Sequence, residues 1–402
     1  MRAAWDTFFQ NTPSACLEKY TSLNKFQPPA RLRGIEKSII RQAFDRARPG
    51  SINLGLGEPD LPTPEVIRRA AVRVIAEEQN GYTSHAGLAA LREQVAAEYA
   101  QLRATLEHVI ITAGSQEALY LALMTLVDEG DEVLLPDPGF VAYPTIVRMA
   151  GGRPVFYSLP AASGFSFDAE EFRRRLTSHT KVVVCISPSN PTGRVLSSDD
   201  LGAMADALRD TNAYVLSDEI YRDLYYTEGK PASISEFLPE RTLIISGLSK
   251  SMSMTGWRLG WLCGDRQVVS SALVLHGYVT TCASTVSQKA ALASWTVEAE
   301  AARQAFRHSF RLRRDHLLNL LSSQIGSRAI VPDGAFYVMT DLSAYGDSKQ
   351  VAEILLENGV ITVPGVAFGR EGEGFLRLSF CADQRILTEG VRRMRDALAK
   401  ER

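Results

Sequence analysis

One lysine of this chain stands where its amine can act as a nucleophile. Lys250 lies in Ser246-Gly247-Leu248-Ser249-Lys250-Ser251-Met252-Ser253-Met254-Thr255-Gly256-Trp257-Arg258, directly after the apolar run 242–245. A strand end that feeds a turn lined by serine and glycine leaves the amine in a crowded, partly dry pocket. Lost solvation there lowers its pKa and frees the neutral form for Schiff-base chemistry. Arg258 offers a fixed positive charge to a phosphate or a carboxylate. A Ser-Lys pair by itself is common and mostly inert, so the weight falls on the whole thirteen-residue context.

Other groups fit around such a lysine, each with a plainer alternative. Asp218 ends the run Tyr214-Val215-Leu216-Ser217-Asp218, at the carboxyl end of an expected strand, where open α/β sheets place ligands. It could equally be a helix N-cap, and Tyr221, three residues on, a core edge residue. The turn Gly114-Ser115-Gln116 opens a helix and presents free backbone N–H groups suited to a phosphate. Asn190-Pro191-Thr192-Gly193 is a good turn sequence in its own right. Phe140, taken alone, reads as core. Arg377, inside the apolar run Phe375-Leu376-Arg377-Leu378, needs an anionic partner, either a ligand carboxylate or a buried Asp or Glu.

Taken together and in this order, the motifs resemble the pyridoxal-phosphate-dependent aminotransferases of fold type I, class I/II, the aspartate, aromatic and kynurenine aminotransferase group. The resemblance runs over about residues 33–395. It implies that Lys250 carries pyridoxal 5'-phosphate as a Schiff base and then moves the substrate's α-proton. It further implies that Asp218 partners the pyridine nitrogen, that Asn190 and Tyr221 hold the phenolic oxygen, and that Phe140 stacks on the ring. The phosphate falls to Gly114, Ser115, Gln116, Ser249 and Arg258, with Tyr82 reaching across from a second subunit. Arg377 grips the substrate's α-carboxylate, approached also by Gly57 and Asn190. One departure is Gly247, where many relatives carry a serine. Its contact falls to Ser246 or Ser249 or is absent.

The implied activity moves the amino group of an L-amino acid to a 2-oxo acid in a homodimer with shared sites, to which the segment 280–284 also contributes. In the acidic-substrate subgroup a lysine can stand at the place of Gln116. Gln116, Phe140, Tyr143 and Phe336 instead leave room for a neutral, apolar or aromatic side chain. A carbon–sulfur lyase or other carbanion chemistry could use the same scaffold. A cofactor-sensing regulator would carry a DNA-binding domain ahead of the match, and no basic helix-turn-helix pattern stands there.

These groups need a scaffold that brings distant segments together. From about residue 108, β-rich runs at 108–112, 132–135, 181–186, 213–217, 242–245 and 259–263 alternate with helical patterns, which predicts a mostly parallel sheet. Beyond about residue 292 come long helices, β-like runs at 335–339 and 375–380, and a final helix. The fold expected is α/β. A large cofactor-binding domain over 64–292 holds a mostly parallel seven-stranded sheet between helices, and both chain ends, 33–63 and 293–402, form a smaller α+β domain. Residues 1–32 read as an arm or cap. The glycine clusters Gly55-Leu56-Gly57 and 369–374 lack the strand-to-helix setting of a dinucleotide site.

The 402 residues are 45% hydrophobic and 22% charged, enough for a large core. A net charge of −2 gives no basic footprint for nucleic acid. Five scattered cysteines suit a reducing, cytoplasmic setting, and neither they nor the six histidines show metal spacing, so no metal is expected. No run approaches the roughly 18 apolar residues of a membrane span.

Overall fold

The computed structural model describes residue 29, residues 32–77 and residues 79–400. It divides into two units, Met1–Glu36 and Lys37–Arg402. In the first, Ile35 N–H donates to Leu32 O at 3.2 Å, closing a single turn. The arm expected over 1–32 otherwise lies outside the described residues, as does Cys16.

Within the second unit β1 (Ile52–Asn53) precedes the strands of the large sheet. These are β2 (Val109–Thr112), β3 (Glu132–Asp137), β4 (Arg153–Ser158), β5 (Thr180–Ile186), β6 (Tyr214–Asp218), β7 (Thr242–Gly247) and β8 (Gly260–Cys263). There follow β9 (Ala329–Ile330), β10 (Tyr337–Asp341), β11 (Val360–Ile361), β12 (Val363–Pro364) and β13 (Phe375–Ser379). The large sheet has the order β2-β8-β7-β6-β5-β3-β4. Its pairs are parallel except those that β8 makes with β2 and β7.

The expected mostly parallel seven-stranded sheet is therefore present, although the sequence displays six of its strands. The seventh, β4, is an edge strand that opens Arg153-Pro154 and has one buried residue, Tyr157, so its apolar run is only Val155-Phe156-Tyr157. Side chains of β5 alternate as a pleat requires. Val182, Val184 and Ile186 join the core beneath helix Ser115–Leu126, while Val183 and Cys185 join Leu201 and Met204 on the opposite face. Burial on both faces is what lets these strands read as continuous apolar runs.

The smaller α+β part draws on both chain ends. β12, β13, β10 and β9 form an antiparallel sheet, and β1 pairs in parallel with β11, Ile52 opposite Val360. Its core gathers Leu54, Phe310, Phe336, Leu376 and Val391, from segments more than three hundred residues apart in sequence. The run expected at 335–339 begins as a strand two residues later, because Ala335 adopts a left-handed φ of 56° and its N–H goes to Leu224 O.

Candidate active site

The carboxyl ends of β5, β6 and β7 open towards one cleft, and the loops that follow them carry its groups. Asp218 closes β6 and is buried. Its Oδ2 accepts from Tyr143 Oη at 2.8 Å and its Oδ1 from Ile220 N–H at 3.2 Å. Burial outweighs these bonds and pushes its pKa up to about 6. Lys250 follows β7 and donates from Nζ to Gly57 O at 2.8 Å. Burial lowers its pKa, and the face of Phe336 lies 5.9 Å from the amine. Tyr221, buried, shares a hydrogen bond of 2.9 Å with Tyr337 Oη.

A second cluster forms where β2 turns into helix Ser115–Leu126. Gly114 is the N-cap with φ 91°, a conformation few other residues adopt. The N–H groups of Ser115 and Gln116 have no intrahelical acceptor, as in any first helical turn. A Cβ on Gly114 would meet Arg258 Nη2 at 2.4 Å, so the guanidinium lies against that backbone. Arg258 Nη1 donates to Thr255 O at 2.9 Å and Nη2 to Ala113 O at 3.4 Å. Guanidinium and helix N-terminus together make an anion site. Ser249, buried beside Lys250 in sequence, belongs to the same loop.

The third cluster surrounds Arg377, central in β13 and buried. Nη1 donates to Asn190 Oδ1 at 2.9 Å and Nη2 to Gly55 O. Its guanidinium lies 4.3 Å from the ring centroid of Tyr337 and 4.7 Å from that of Phe368. None of these partners is anionic, and Nε is buried without a partner. That distinguishes the group from a structural ion pair and leaves its charge for a ligand. Phe140 is half-buried and edge-on to Tyr143 at 5.5 Å, the tyrosine whose hydroxyl bonds Asp218. Tyr82 stands apart, 88% exposed.

A family model described as aminotransferase class I and II matches residues 49–394. The chain belongs to the class I and II aminotransferases. The aspartate aminotransferase of Pyrococcus horikoshii is 37% identical over 376 residues, 92% of this chain and 96% of that one. The aspartate/prephenate aminotransferase of Thermus thermophilus is 38% identical over 372 residues, 90% of this chain and 95% of its own. The solved Thermus thermophilus aspartate aminotransferase with maleate matches at a TM-score of 0.87 and 35% identity, covering 93% of this chain and all of that one. This aminotransferase is a transaminase whose cofactor is pyridoxal 5'-phosphate.

The residues fit that cofactor on the structure's own terms. A buried carboxylate with a raised pKa awaits a cation, an anion site stands at the end of β2, and a lysine amine with a lowered pKa lies in the same cleft. Side chains that the sequence did not single out complete this aminotransferase site. Tyr337 and Phe368 flank Arg377, and only long-range packing brings them there. Tyr143 and Phe336, expected to leave room for the substrate side chain, are both buried beside the site, Tyr143 against Asp218 and Phe336 near the Lys250 amine. Tyr143 is 1% exposed with its hydroxyl spent on Asp218, and Phe336 is fully buried against Phe310, Tyr221 and Tyr337. Gln116 is exposed. The Gly247 departure has a packing cause, since a Cβ there would lie 2.7 Å from Leu259 O and 2.9 Å from Gly260 Cα. Ser246 does not replace a serine there, because its Oγ donates to Glu219 O at 3.1 Å.

Proposed function

We propose that this aminotransferase moves the amino group of a neutral, apolar or aromatic L-amino acid to a 2-oxo acid, in a homodimer whose sites are shared. The observation that carries the catalytic reading is the meeting of the Lys250 amine with the Gly57 carbonyl at 2.8 Å, in the cleft where Arg377 is held without an anionic partner. When bound, pyridoxal phosphate supplies an electron sink for the pair left at the substrate's α-carbon. The chain's own residues do the rest.

Arg377 receives the α-carboxylate through parallel hydrogen bonds, with Asn190 Oδ1 and the aromatic faces of Tyr337 and Phe368 fixing the guanidinium. Gly57 lets the backbone approach the same carboxylate. Lys250 Nζ, whose pKa burial lowers, takes the proton from the α-carbon. Asp218, held by Tyr143, keeps a cationic ring nitrogen protonated. Tyr221 and Asn190 hold the phenolic oxygen and Phe140 covers the ring. Gly114, Ser115, Gln116, Ser249 and Arg258 bind the phosphate, and Tyr82 of a second copy joins them. The seven-stranded sheet and its helices, residues 64–292, carry the cofactor groups, and 33–63 with 293–402 carry Gly57 and Arg377. Residues 1–32 are read as an arm.

The substrate class rests on Gln116, a neutral side chain exposed at the mouth of the anion site, and on half-buried Phe140. The dimer rests on Tyr82 and Tyr278, 88% and 90% exposed. Among the described residues no helix is long and apolar enough to cross a membrane. The four described cysteines are free, which fits a cytoplasmic setting.

Absorption spectra of the holoenzyme, taken as L-amino acids are added one at a time with assays for 2-oxo acid, ammonia and thiol, test this. Phenylalanine, methionine or leucine should convert the aldehyde cofactor to its amine form with matching oxo acid, reversed by a second oxo acid. A kcat/KM for aspartate far above theirs would overturn the substrate class.

A further inference from the structure

Glu117 occupies the first turn of the helix whose N-terminus offers N–H groups to an anion, where its charge suits the helix dipole but would repel a bound phosphate. Its side chain turns away from that site and is only 8% exposed. It collects three donors from behind the turn. Ala113 N–H and Thr280 Oγ1 both donate to it, and His276 Nδ1 lies 3.0 Å from Oε1. His276 is itself fully buried. Burial alone would raise the Glu117 pKa, but the bonds from His276, Thr280 and Ala113 outweigh it and hold the carboxylate below its ordinary value.

Ala113 is thereby held through the peptide groups on both its sides. Its N–H goes to Glu117, and its carbonyl accepts from Arg258 Nη2. Gly114, next in the chain, has its N–H on Thr112 O and its carbonyl bonded by Thr112 Oγ1 at 3.0 Å. An N-cap side chain would have consumed a first-turn N–H. Glycine at the N-cap, with Glu117 satisfying the peptide before it, keeps the N–H groups of Ser115 and Gln116 free. We propose that Glu117 is a positioning residue that fixes the backbone at Ala113, and through it Arg258 and the helix N-terminus, in the orientation that receives the cofactor's phosphate. This rests on the assignment of that helix end and Arg258 to the phosphate.

The same carboxylate pins the end of helix Arg266–Val279 through Thr280, next to Thr281, whose φ of 68° is strained for a β-branched residue. A purely structural role for Glu117 would weaken all ligand binding alike. A positioning role weakens the phosphate's share alone.

The experiment compares equilibrium binding of pyridoxal 5'-phosphate and of pyridoxal, which lacks the phosphate, to the apoenzyme and to its Glu117→Ala, Glu117→Gln, Thr280→Val and Arg258→Ala variants. Glu117→Ala should weaken pyridoxal phosphate about tenfold or more, the scale of a lost hydrogen bond to a charged group, and leave pyridoxal within about twofold. Glu117→Gln, which keeps an acceptor for Ala113 N–H, and Thr280→Val should shift the phosphate-bearing ligand less, in the same direction. An equal loss for both ligands, or no loss for either, overturns the proposal. Should Glu117→Ala not fold, the other two variants decide by the same comparison. If Arg258→Ala keeps the wild-type preference for the phosphate, the phosphate assignment itself fails. If Arg258→Ala loses that preference while the Glu117 variants keep it, the role of Glu117 alone fails.

Discussion

Asp218 shows how a single side chain can trade stability for chemistry. In the apoenzyme its pKa stands at about 6 against an ordinary 3.8, because burial disfavours the anion more than Tyr143 and Ile220 N–H favour it. The folded state therefore holds this proton more tightly than the unfolded chain does. Below pH 3.8 the group costs the fold nothing, stability falls as pH rises between the two values, and above about 6 the full cost remains. That cost is about 3 kcal/mol at 1.36 kcal/mol per pKa unit, an order-of-magnitude figure. Asp218→Asn should accordingly stabilise the apoenzyme at pH 7.5 relative to wild type and lose that advantage near pH 4, as read by denaturant unfolding at the two pH values. The same variant should lower kcat about a hundredfold or more, since a neutral amide cannot keep a ring nitrogen cationic. An apoenzyme no more stable than wild type at pH 7.5 would refute the buried-anion account. At the same scale Lys250→Ala should abolish nearly all turnover and the cofactor's covalent absorption band.

At the scale of elements, the loop between β1 and helix Glu65–Glu77 presses its glycine into the small sheet. A Cβ on Gly57 would lie 1.7 Å from Tyr337 Oη, so Gly57→Ala must push apart the loop that faces Lys250 and the strand that supports Arg377. KM for the amino acid should rise about tenfold or more, since displacements near 1 Å are costly in a site of this kind. Tyr337→Phe removes the nearest colliding atom, so the double variant should recover part of the loss, a coupling that steady-state kinetics on the four proteins would measure. No recovery would place the fault elsewhere. These contacts also show what could be read before folding. The lysine loop, Asp218 and Asn190 were legible because each motif is contiguous and sits at a strand end. β4 was not, as an edge strand that opens on Arg153-Pro154 keeps an apolar run of only three residues. The bond from Tyr143 to Asp218 was not legible, because the two lie 75 residues apart and no local pattern joins them. Tyr337 and Phe368 meet Arg377 only through the register of β10 and β13 and the loop before β13, which no local pattern displays.

Across the whole molecule, the site as a single chain presents it lacks a role for Tyr82. That ring is 88% exposed on a segment anchored from behind, where Thr285 Oγ1 donates to Gly81 O at 2.7 Å and Gln288 donates to Thr83 Oγ1 at 3.1 Å. Tyr278, 90% exposed, is a second large aromatic side chain open to solvent. In a two-fold dimer each Tyr82 would serve the partner's phosphate site. Mixing inactive Lys250→Ala with an impaired Tyr82→Ala protein then has a definite consequence. In each hybrid, one site combines the lysine of the Tyr82→Ala chain with the tyrosine of the Lys250→Ala chain and is intact, while the other lacks both. A statistical mixture holds about half hybrids, each with one good site of two, so activity should return to about a quarter of wild type. The measurement is turnover after the two proteins are exchanged under mild denaturant and returned to buffer. Activity that never exceeds that of the Tyr82→Ala share alone would mean that each chain builds its site unaided, and Tyr82 would then have no part in the partner's site.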